Sequence, residues 1–196
     1  MRLVTVAAPD GPRAGVVRED GIVALADLGH LTVLSLVESG PEEWPKVAAA
    51  AASARIGWAL GDHPLMAPIP RPPRNAWAVG ANYRTHFDEG VRPAGATLPE
   101  VPVFFTKPWT SFVGHDATVN IDRHATQTVD WEAEIAVVIG VEGTDVPADH
   151  AMEHVFGYLL ANDVSARELQ LAAPPFSQWD KGKSLDGFGP MGPWIV

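Results

Sequence analysis

The sequence predicts an α+β protein in which short strands dominate. Its 196 residues include 18 glycines and 18 prolines without a repeating period, which is typical of a chain with many turns rather than of a helical bundle. Hydrophobic residues make up 46% of the chain and charged residues 19%, so a sizeable folded core is expected. Runs rich in β-branched and aromatic residues, bounded by Gly, Pro and Asp, supply the expected strands.

The first part of the chain has the composition of a small unit of its own. Short strands are expected over residues 3–8, 15–17 and 22–25, and an alanine-rich helix over residues 45–60 that ends at Gly61. Residues 64–73 contain five prolines, which predicts an extended connector. We therefore expect a small N-terminal α+β domain over residues 1–70 and a second domain over residues 71–196.

The second domain shows a different texture, with longer apolar runs. We expect strands over residues 101–105, 118–121, 132–139 and 155–161, and a short helix over residues 165–171. The run 132–139 is apolar enough to predict burial on both of its faces. The last residues, 192–196, resemble the beginning of a strand.

Charge and composition exclude several classes of function. There are 14 basic and 24 acidic residues, a formal net charge of −10, which disfavours nucleic acid as a partner. The chain has no cysteine, which excludes disulfides, thiolate metal sites and a cysteine nucleophile. No apolar run is long enough to cross a membrane or to act as a signal peptide, so we expect a cytoplasmic protein without a membrane partner.

Two glutamates mark the most informative segment. Because strand side chains alternate between faces, Glu132 and Glu134 project from the same face of the expected strand. Two carboxylates on an otherwise apolar strand repel each other unless a cation compensates, and a divalent cation such as Mg²⁺ does so directly. The alternative is a solvated polar face at one end of an edge strand.

Two more candidates follow later in the chain. Asp163 ends an apolar run where a strand gives way to a helix, a position from which acids often point into a site, although it is equally suited to cap the helix. Lys183 lies in a glycine-rich, largely apolar segment and is a candidate cation for an oxyanion or enolate. The alternative for Lys183 is a solvated side chain in a flexible turn.

A histidine and a glutamate form the last candidate pair. His86 and Glu89 are three residues apart and share one face if the segment is helical. A carboxylate beside imidazole orients it and raises its basicity, which suits a general base for water. The alternative is a surface pair in a polar loop.

Five blocks in register together resemble the fumarylacetoacetate hydrolase family. Each block is moderately specific, and their common order makes the resemblance strong. The blocks cover residues 79–89, 102–108, 130–140, 157–167 and 182–190. Residues 1–70 resemble the small N-terminal domain of many bacterial members.

The resemblance implies a fold and a set of site residues. It implies a mixed β-roll catalytic domain, usually a homodimer, that holds Mg²⁺ or Mn²⁺ through Glu132, Glu134 and Asp163. The water-activating pair of the family matches His86 and Glu89, and its catalytic lysine matches Lys183. Gln170 lies where some members contact substrate.

The resemblance also implies a reaction. We expect a metal-dependent hydrolase that cleaves a C–C bond in a 1,3-dicarbonyl or acylpyruvate-type 2-oxo acid through an enolate. The alternatives are an isomerase or decarboxylase of the same family, since the same apparatus serves all three. Members of the family continue beyond the position that matches Val196, so we expect a β-roll that is incomplete at its C-terminus. A truncated, non-catalytic member of the family is a further alternative.

Overall fold

The computed structural model of the protein describes residues 1–85, 97–171 and 177–196. The described strands are β1 (Arg2–Ala8), β2 (Gly11–Arg18), β3 (Gly21–Ala24), β4 (Ile56–Trp58), β5 (Leu65–Met66), β6 (Ala76–Gly80), β7 (Val103–Lys107), β8 (Phe112–Val113), β9 (Val129–Asp130), β10 (Ala133–Ile139), β11 (Val155–Asn162), β12 (Ser165–Ala166) and β13 (Gly189–Gly192). The α-helices are α1 (Val33–Glu38), α2 (Trp44–Ser53), α3 (Arg167–Gln170) and α4 (Trp179–Lys183), and 3-10 helices span Leu25–Leu28, Trp109–Ser111 and Ala148–His154.

These strands form open sheets, as expected for a mixed α+β fold. The first sheet has the order β4-β3-β2-β1-β5, in which neighbouring strands run antiparallel. The second has the order β10-β11-β13-β8, with β13 and β8 parallel. Two strand pairs, β12-β9 and β6-β7, complete the described sheets. Among the described residues, each helix is too short or too polar to span a membrane.

The first sheet packs one face against α1 and α2. Buried side chains such as Leu3, Leu25, Val33, Leu36 and Val47 form this core, and burial of each large aliphatic side chain contributes about 1.5–3 kcal/mol. The Thr32 side chain accepts a hydrogen bond from the Ser35 amide and so caps α1. The strands expected near residues 3–8, 15–17 and 22–25 are therefore confirmed as β1, β2 and β3.

The prediction of a helix over residues 45–60 is wrong for its C-terminal part. α2 ends at Ser53, and the following residues form β4, in which Trp58 pairs with Ile22 of β3. Aromatic and β-branched side chains fit a pleated strand better than a helix, so the available partner strand decides the conformation. Gly61 does not end the helix and instead adopts a positive φ of 87° in a later turn.

Two further predictions for the second half need correction. Residues 118–121 do not form a strand: Val119 packs against the cluster around Phe188, while its neighbours Thr118 and Asn120 are exposed. The helix predicted over residues 165–171 is confined to α3, because Ser165 and Ala166 pair with β9 first. The first difference reflects the lack of a partner strand among the described residues, and the second reflects pairing with β9.

β10 is half-buried on one face and exposed on the other. Its side chains alternate along the strand, with Ile135 64% and Ile139 61% exposed on the outer face, while Ala136 and Val138 pack against the core. The prediction that both faces are buried is therefore wrong. The alternation nevertheless keeps Glu134 on the same face as Ala136 and Val138.

The two halves of the chain contact each other closely. The amide of Leu3 donates to the carbonyl of Ile195 at 2.9 Å, and the amide of Ile195 donates back to Leu3 at 2.9 Å. Leu159 and Ile195 also belong to the core that contains Leu3 and Leu25. The end of the chain therefore pairs with β1, and the division into domains at residue 70 stays a prediction.

Candidate active site

Lys183 is the centre of a buried cluster of charged side chains. It is the last residue of α4 and only 2% exposed. Its ammonium donates to Glu132 Oε2 at 2.9 Å, to Asp163 Oδ2 at 2.7 Å and to Ser165 Oγ at 2.8 Å, and it lies 5.0 Å from the centre of the Phe105 ring. The alternative of a solvated lysine in a flexible turn is wrong.

Asp163 lies between β11 and β12 and is shared by two lysines. Its amide donates to the carbonyl of Glu132 at 2.9 Å, which holds the two acidic residues side by side. Oδ2 accepts from Lys183, and Oδ1 accepts from Lys107 at 2.7 Å. Because each of its oxygens accepts a hydrogen bond from an ammonium group, the negative charge of the buried Asp163 carboxylate is compensated.

Lys107 is a buried cation that the sequence pattern did not identify. It ends β7, is 4% exposed, and also donates to the carbonyl of Lys183 at 2.6 Å. Burial lowers the pKa of Lys107, an effect that the charge and hydrogen bond of Asp163 oppose. The signal available in the sequence is the alternation in β7, which places Lys107 on the same face as the buried Phe105.

Arg167 extends the cluster towards the surface. One guanidinium nitrogen, Nη1, contacts Glu132 Oε1 at 2.7 Å and donates to Gln170 Oε1 at 2.9 Å, while Nε and Nη2 bind Asp130 Oδ2 at 3.0 and 2.6 Å. Partial burial favours a lower pKa for Arg167, but hydrogen bonds to Asp130 and Glu132 outweigh it and raise the pKa. Arg167 therefore keeps its charge and fixes both Glu132 and the buried Gln170.

The cluster holds three cations, Lys107, Arg167 and Lys183, against the carboxylates of Glu132 and Asp163. Asp130 adds a third negative charge at the half-exposed rim. Three cations therefore face three carboxylates, and the cluster is close to neutral within a chain of net charge −10. Such a region repels a small anion less than an acidic surface does.

The carboxylates of the cluster have the chemistry of a site for Mg²⁺ or Mn²⁺. Both ions prefer oxygen ligands, and Glu132 and Asp163 each place an oxygen within 2.9 Å of the same ammonium. Glu134 lies two residues further along the same face and lines a shallow depression with Ala161 and Asn162. In the described parts of the chain, no three acidic or histidine side chains are already gathered as a metal site. The donors fit such an ion in kind, and their assignment as ligands stays a prediction.

A family model for the C-terminal domain of fumarylacetoacetate (FAA) hydrolase matches residues 75–196. The chain belongs to the fumarylacetoacetate hydrolase family. The matched residues contain the whole buried cluster, from Lys107 to Lys183. The resemblance inferred from the sequence blocks is therefore confirmed.

Known members of the family support this membership. The chain is 42% identical over 139 residues to the oxaloacetate tautomerase YisK of Bacillus subtilis (strain 168), an alignment that covers 71% of this chain and 44% of that protein. This chain thus spans less than half the length of that curated relative.

Solved structures confirm the fold of the family. The fumarylacetoacetate hydrolase from Exiguobacterium antarcticum superimposes with a TM-score of 0.74 at 33% identity. The 5-carboxymethyl-2-hydroxymuconate delta-isomerase from Mycobacterium smegmatis gives 0.71, also at 33% identity. Each comparison covers all of this chain and 66% of the solved chain. The expected fold is therefore confirmed for the part of the family that this chain spans.

The structure brings together some of the predicted site residues. Glu132, Asp163 and Lys183 meet directly, and Gln170 joins them through Arg167. His86 and Glu89 lie outside the described residues. Their role in activating water stays a prediction of the family resemblance.

Glu168 binds residues 126–128, the segment before β9. Its carboxylate accepts hydrogen bonds from the hydroxyl of Thr126 at 2.7 Å and the amide of Thr128 at 3.2 Å, and also from the Thr128 hydroxyl and the Gln127 amide. The bonds from Thr128 and then Thr126 are the main cause that lowers the pKa of Glu168 to about 2. Because β9 ends at Asp130, these contacts help to hold the partner of Arg167.

Glu168→Gln is expected to change how the stability of the protein depends on acid. The pKa of Glu168 is lower in the folded chain, about 2, than its usual 4.5, so its contribution to stability is present above pH 4.5 and is lost as the pH falls towards 2. The variant should be less stable at neutral pH and lose less stability over that acid range. Urea unfolding at a series of pH values measures this, with the exposed Glu19→Gln as control. An acid dependence identical in variant and native protein would contradict the role of Glu168.

Proposed function

We propose that this chain is an enzyme that forms and stabilises the enolate of a 2-oxo acid, with a divalent cation held by Glu132, Glu134 and Asp163. The observation that carries the proposal is the buried Lys183 ammonium, held between Glu132 and Asp163. Such an ammonium is costly to bury and is well placed to receive the negative charge that develops on an enolate oxygen.

Different side chains of the cluster have different proposed roles in the reaction. When bound, Mg²⁺ or Mn²⁺ supplies Lewis acidity that polarises the substrate carbonyl. Glu132, Asp163 and Ser165 accept all three N–H bonds of the Lys183 ammonium. With a cation bound to these carboxylates, one of these N–H bonds would be released to the enolate oxygen. Arg167 donates a hydrogen bond to the side-chain oxygen of Gln170. The NH₂ group of Gln170 can then donate to a carboxylate or carbonyl of the substrate.

Tautomerisation or isomerisation is the reaction that these described residues support best. Moving a proton between carbon and oxygen needs an enolate stabiliser and a proton carrier, and Lys183 provides both. The similar protein from Bacillus subtilis is named an oxaloacetate tautomerase and the one from Mycobacterium smegmatis a delta-isomerase, which supports this assignment. The substrate we propose is therefore a small 2-oxo dicarboxylic acid.

Hydrolysis of a C–C bond is the second candidate. It requires the same enolate and, in addition, a water activated by a base. The sequence supplies the pair His86 and Glu89 for that step, and the similar protein from Exiguobacterium antarcticum is named a fumarylacetoacetate hydrolase. Assembly as a homodimer also stays a proposal, and the mass of the protein in solution tests it.

Conversion of enol-oxaloacetate to its keto form tests the first candidate. We expect catalysis with Mg²⁺, loss of catalysis with EDTA, and a rate lowered by about 100-fold in Glu134→Gln, because even groups behind metal ligands cost about 10–100-fold. Glu142→Gln, an exposed glutamate shortly after the same strand, is the control and should keep the native rate. Equal rates in native protein and Glu134→Gln would contradict the metal ligand assignment.

His86→Ala separates the two candidate reactions. If the chain is a hydrolase, pyruvate release from an acylpyruvate occurs in the native protein and is lost in the variant, while enol–keto conversion survives in both. If the chain is only a tautomerase, neither protein releases pyruvate. Loss of both reactions in His86→Ala would contradict the separate role of His86 in activating water.

A further inference from the structure

The two oxygens of the Asp163 carboxylate are held in different ways. Oδ1 accepts from Lys107 at 2.7 Å and Oδ2 accepts from Lys183 at 2.7 Å. The two lysines differ in what fixes their ammonium groups, and this difference distinguishes the two oxygens.

Lys107 is anchored to the main chain. Besides Asp163 Oδ1, its ammonium donates to the carbonyl of Lys183 at 2.6 Å and lies 3.4 Å from the carbonyl of Val164. An ammonium has three N–H donors, so these contacts use all of them. The side chain is 4% exposed and reaches its place from β7, far from Asp163 in the sequence.

Lys183 is held by side chains alone. Its three acceptors are Glu132 Oε2, Asp163 Oδ2 and Ser165 Oγ, and each of these groups rotates without moving the backbone. An incoming cation therefore competes with Lys183 for Oδ2 at much lower cost than with Lys107 for Oδ1. Oδ1 is therefore the oxygen of Asp163 that is bound by the more firmly anchored lysine.

We propose that Lys107 is a positioning residue that makes Asp163 a one-oxygen ligand and so selects Mg²⁺ over Ca²⁺. The inference rests on the proposed function, since it concerns the divalent cation of that site. Mg²⁺ requires near-ideal octahedral geometry, whereas Ca²⁺ accepts more ligands and carboxylates that bind through both oxygens. With Oδ1 held by Lys107, Asp163 has one oxygen to give, which suits Mg²⁺.

A purely structural role for Lys107 predicts no change in the preference between Mg²⁺ and Ca²⁺. If Lys107 only compensates buried charge, its loss weakens the binding of every divalent cation by the same factor. If it blocks Oδ1, its loss frees a second oxygen and changes the preference between ions. The ratio of Mg²⁺ to Ca²⁺ affinity therefore separates the two roles.

Calorimetric titration of the full chain with Mg²⁺ and with Ca²⁺ tests the inference. We expect the ratio of Mg²⁺ affinity to Ca²⁺ affinity to fall by about tenfold in Lys107→Met, which is as large as the smaller changes in affinity that substitutions behind metal ligands cause. Lys107→Arg keeps a charged N–H donor for Oδ1 and should keep the native ratio. Lys46→Met removes an exposed lysine of α2 and is the control.

Each outcome has one meaning. An unchanged ratio in a folded Lys107→Met protein overturns the inference, and so does a shift towards Ca²⁺ in Lys107→Arg. If Lys107→Met does not melt cooperatively, Lys107→Gln, which keeps a polar side chain at this position, replaces it in the same titrations, and an unchanged ratio there overturns the inference. Native protein that binds neither ion overturns the proposed function instead, which keeps the two failures distinct.

Discussion

Lys183→Met is expected to lower turnover of the 2-oxo acid by about 1000-fold, within the range for loss of a proton-transferring group. The methionine is similar in length but removes the ammonium that contacts Glu132 Oε2, Asp163 Oδ2 and Ser165 Oγ together. The enolate charge then loses the Lys183 ammonium as its donor. Stability should also fall, by about 3 kcal/mol, because two buried carboxylates lose a partner.

Steady-state rates and urea unfolding of the same preparation separate the two effects. Lys181→Met is the matched control, since Lys181 lies on the same helix and is exposed. We expect the control to keep both the native rate and the native stability. A Lys183→Met protein that is as active as Lys181→Met would contradict the proposed role of the ammonium.

Asp163→Asn is expected to destabilise the protein by about 3–5 kcal/mol, the cost of breaking a buried ion pair from one side. The substitution preserves the size of the side chain and removes its charge. Lys107 then loses its carboxylate partner, and two buried ammonium groups, those of Lys107 and Lys183, share one neutral amide. The repulsion between them is strong because the site is poorly solvated.

Urea unfolding measures this loss, with Asp186→Asn as the control. Asp186 is an exposed acid three residues after Lys183, so its substitution removes the same charge without touching the cluster. We expect the control to unfold at nearly the native urea concentration. An Asp163→Asn protein as stable as Asp186→Asn would show that the cluster contributes little to folding.

The sequence singled out Glu132, Asp163 and Lys183, which the structure brings together, while their roles stay predictions. Glu132 begins one predicted strand and Asp163 follows another. Lys183 lies in the last of the five sequence blocks that resemble the family. Their convergence on one ammonium follows from the pairing of β10 with β11, which brings Ala133 opposite Asn162. Periodicity predicted the strands, and the resemblance predicted that they form one site.

Other features depend on contacts between distant parts of the chain, which a local pattern does not contain. Lys107 lies 56 residues from Asp163 and 76 residues from Lys183, and it enters the cluster only because β7 packs beside α4. The pairing of Trp58 with Ile22 likewise turned the end of a predicted helix into β4. Residues 118–121 have strand-like side chains but no partner strand among the described residues, so their propensity alone did not decide their structure.

The central claim is that the carboxylates around Lys183 bind a divalent cation and then an enolate-like anion. The melting temperature of the native protein in EDTA, in Mg²⁺, and in Mg²⁺ with oxalate tests it most directly. Each ligand at about 100 times its dissociation constant adds about 2.7 kcal/mol to the stability of the folded state, so we predict a melting temperature that rises in two steps. A cooperative melt that is the same in all three solutions would contradict the claim.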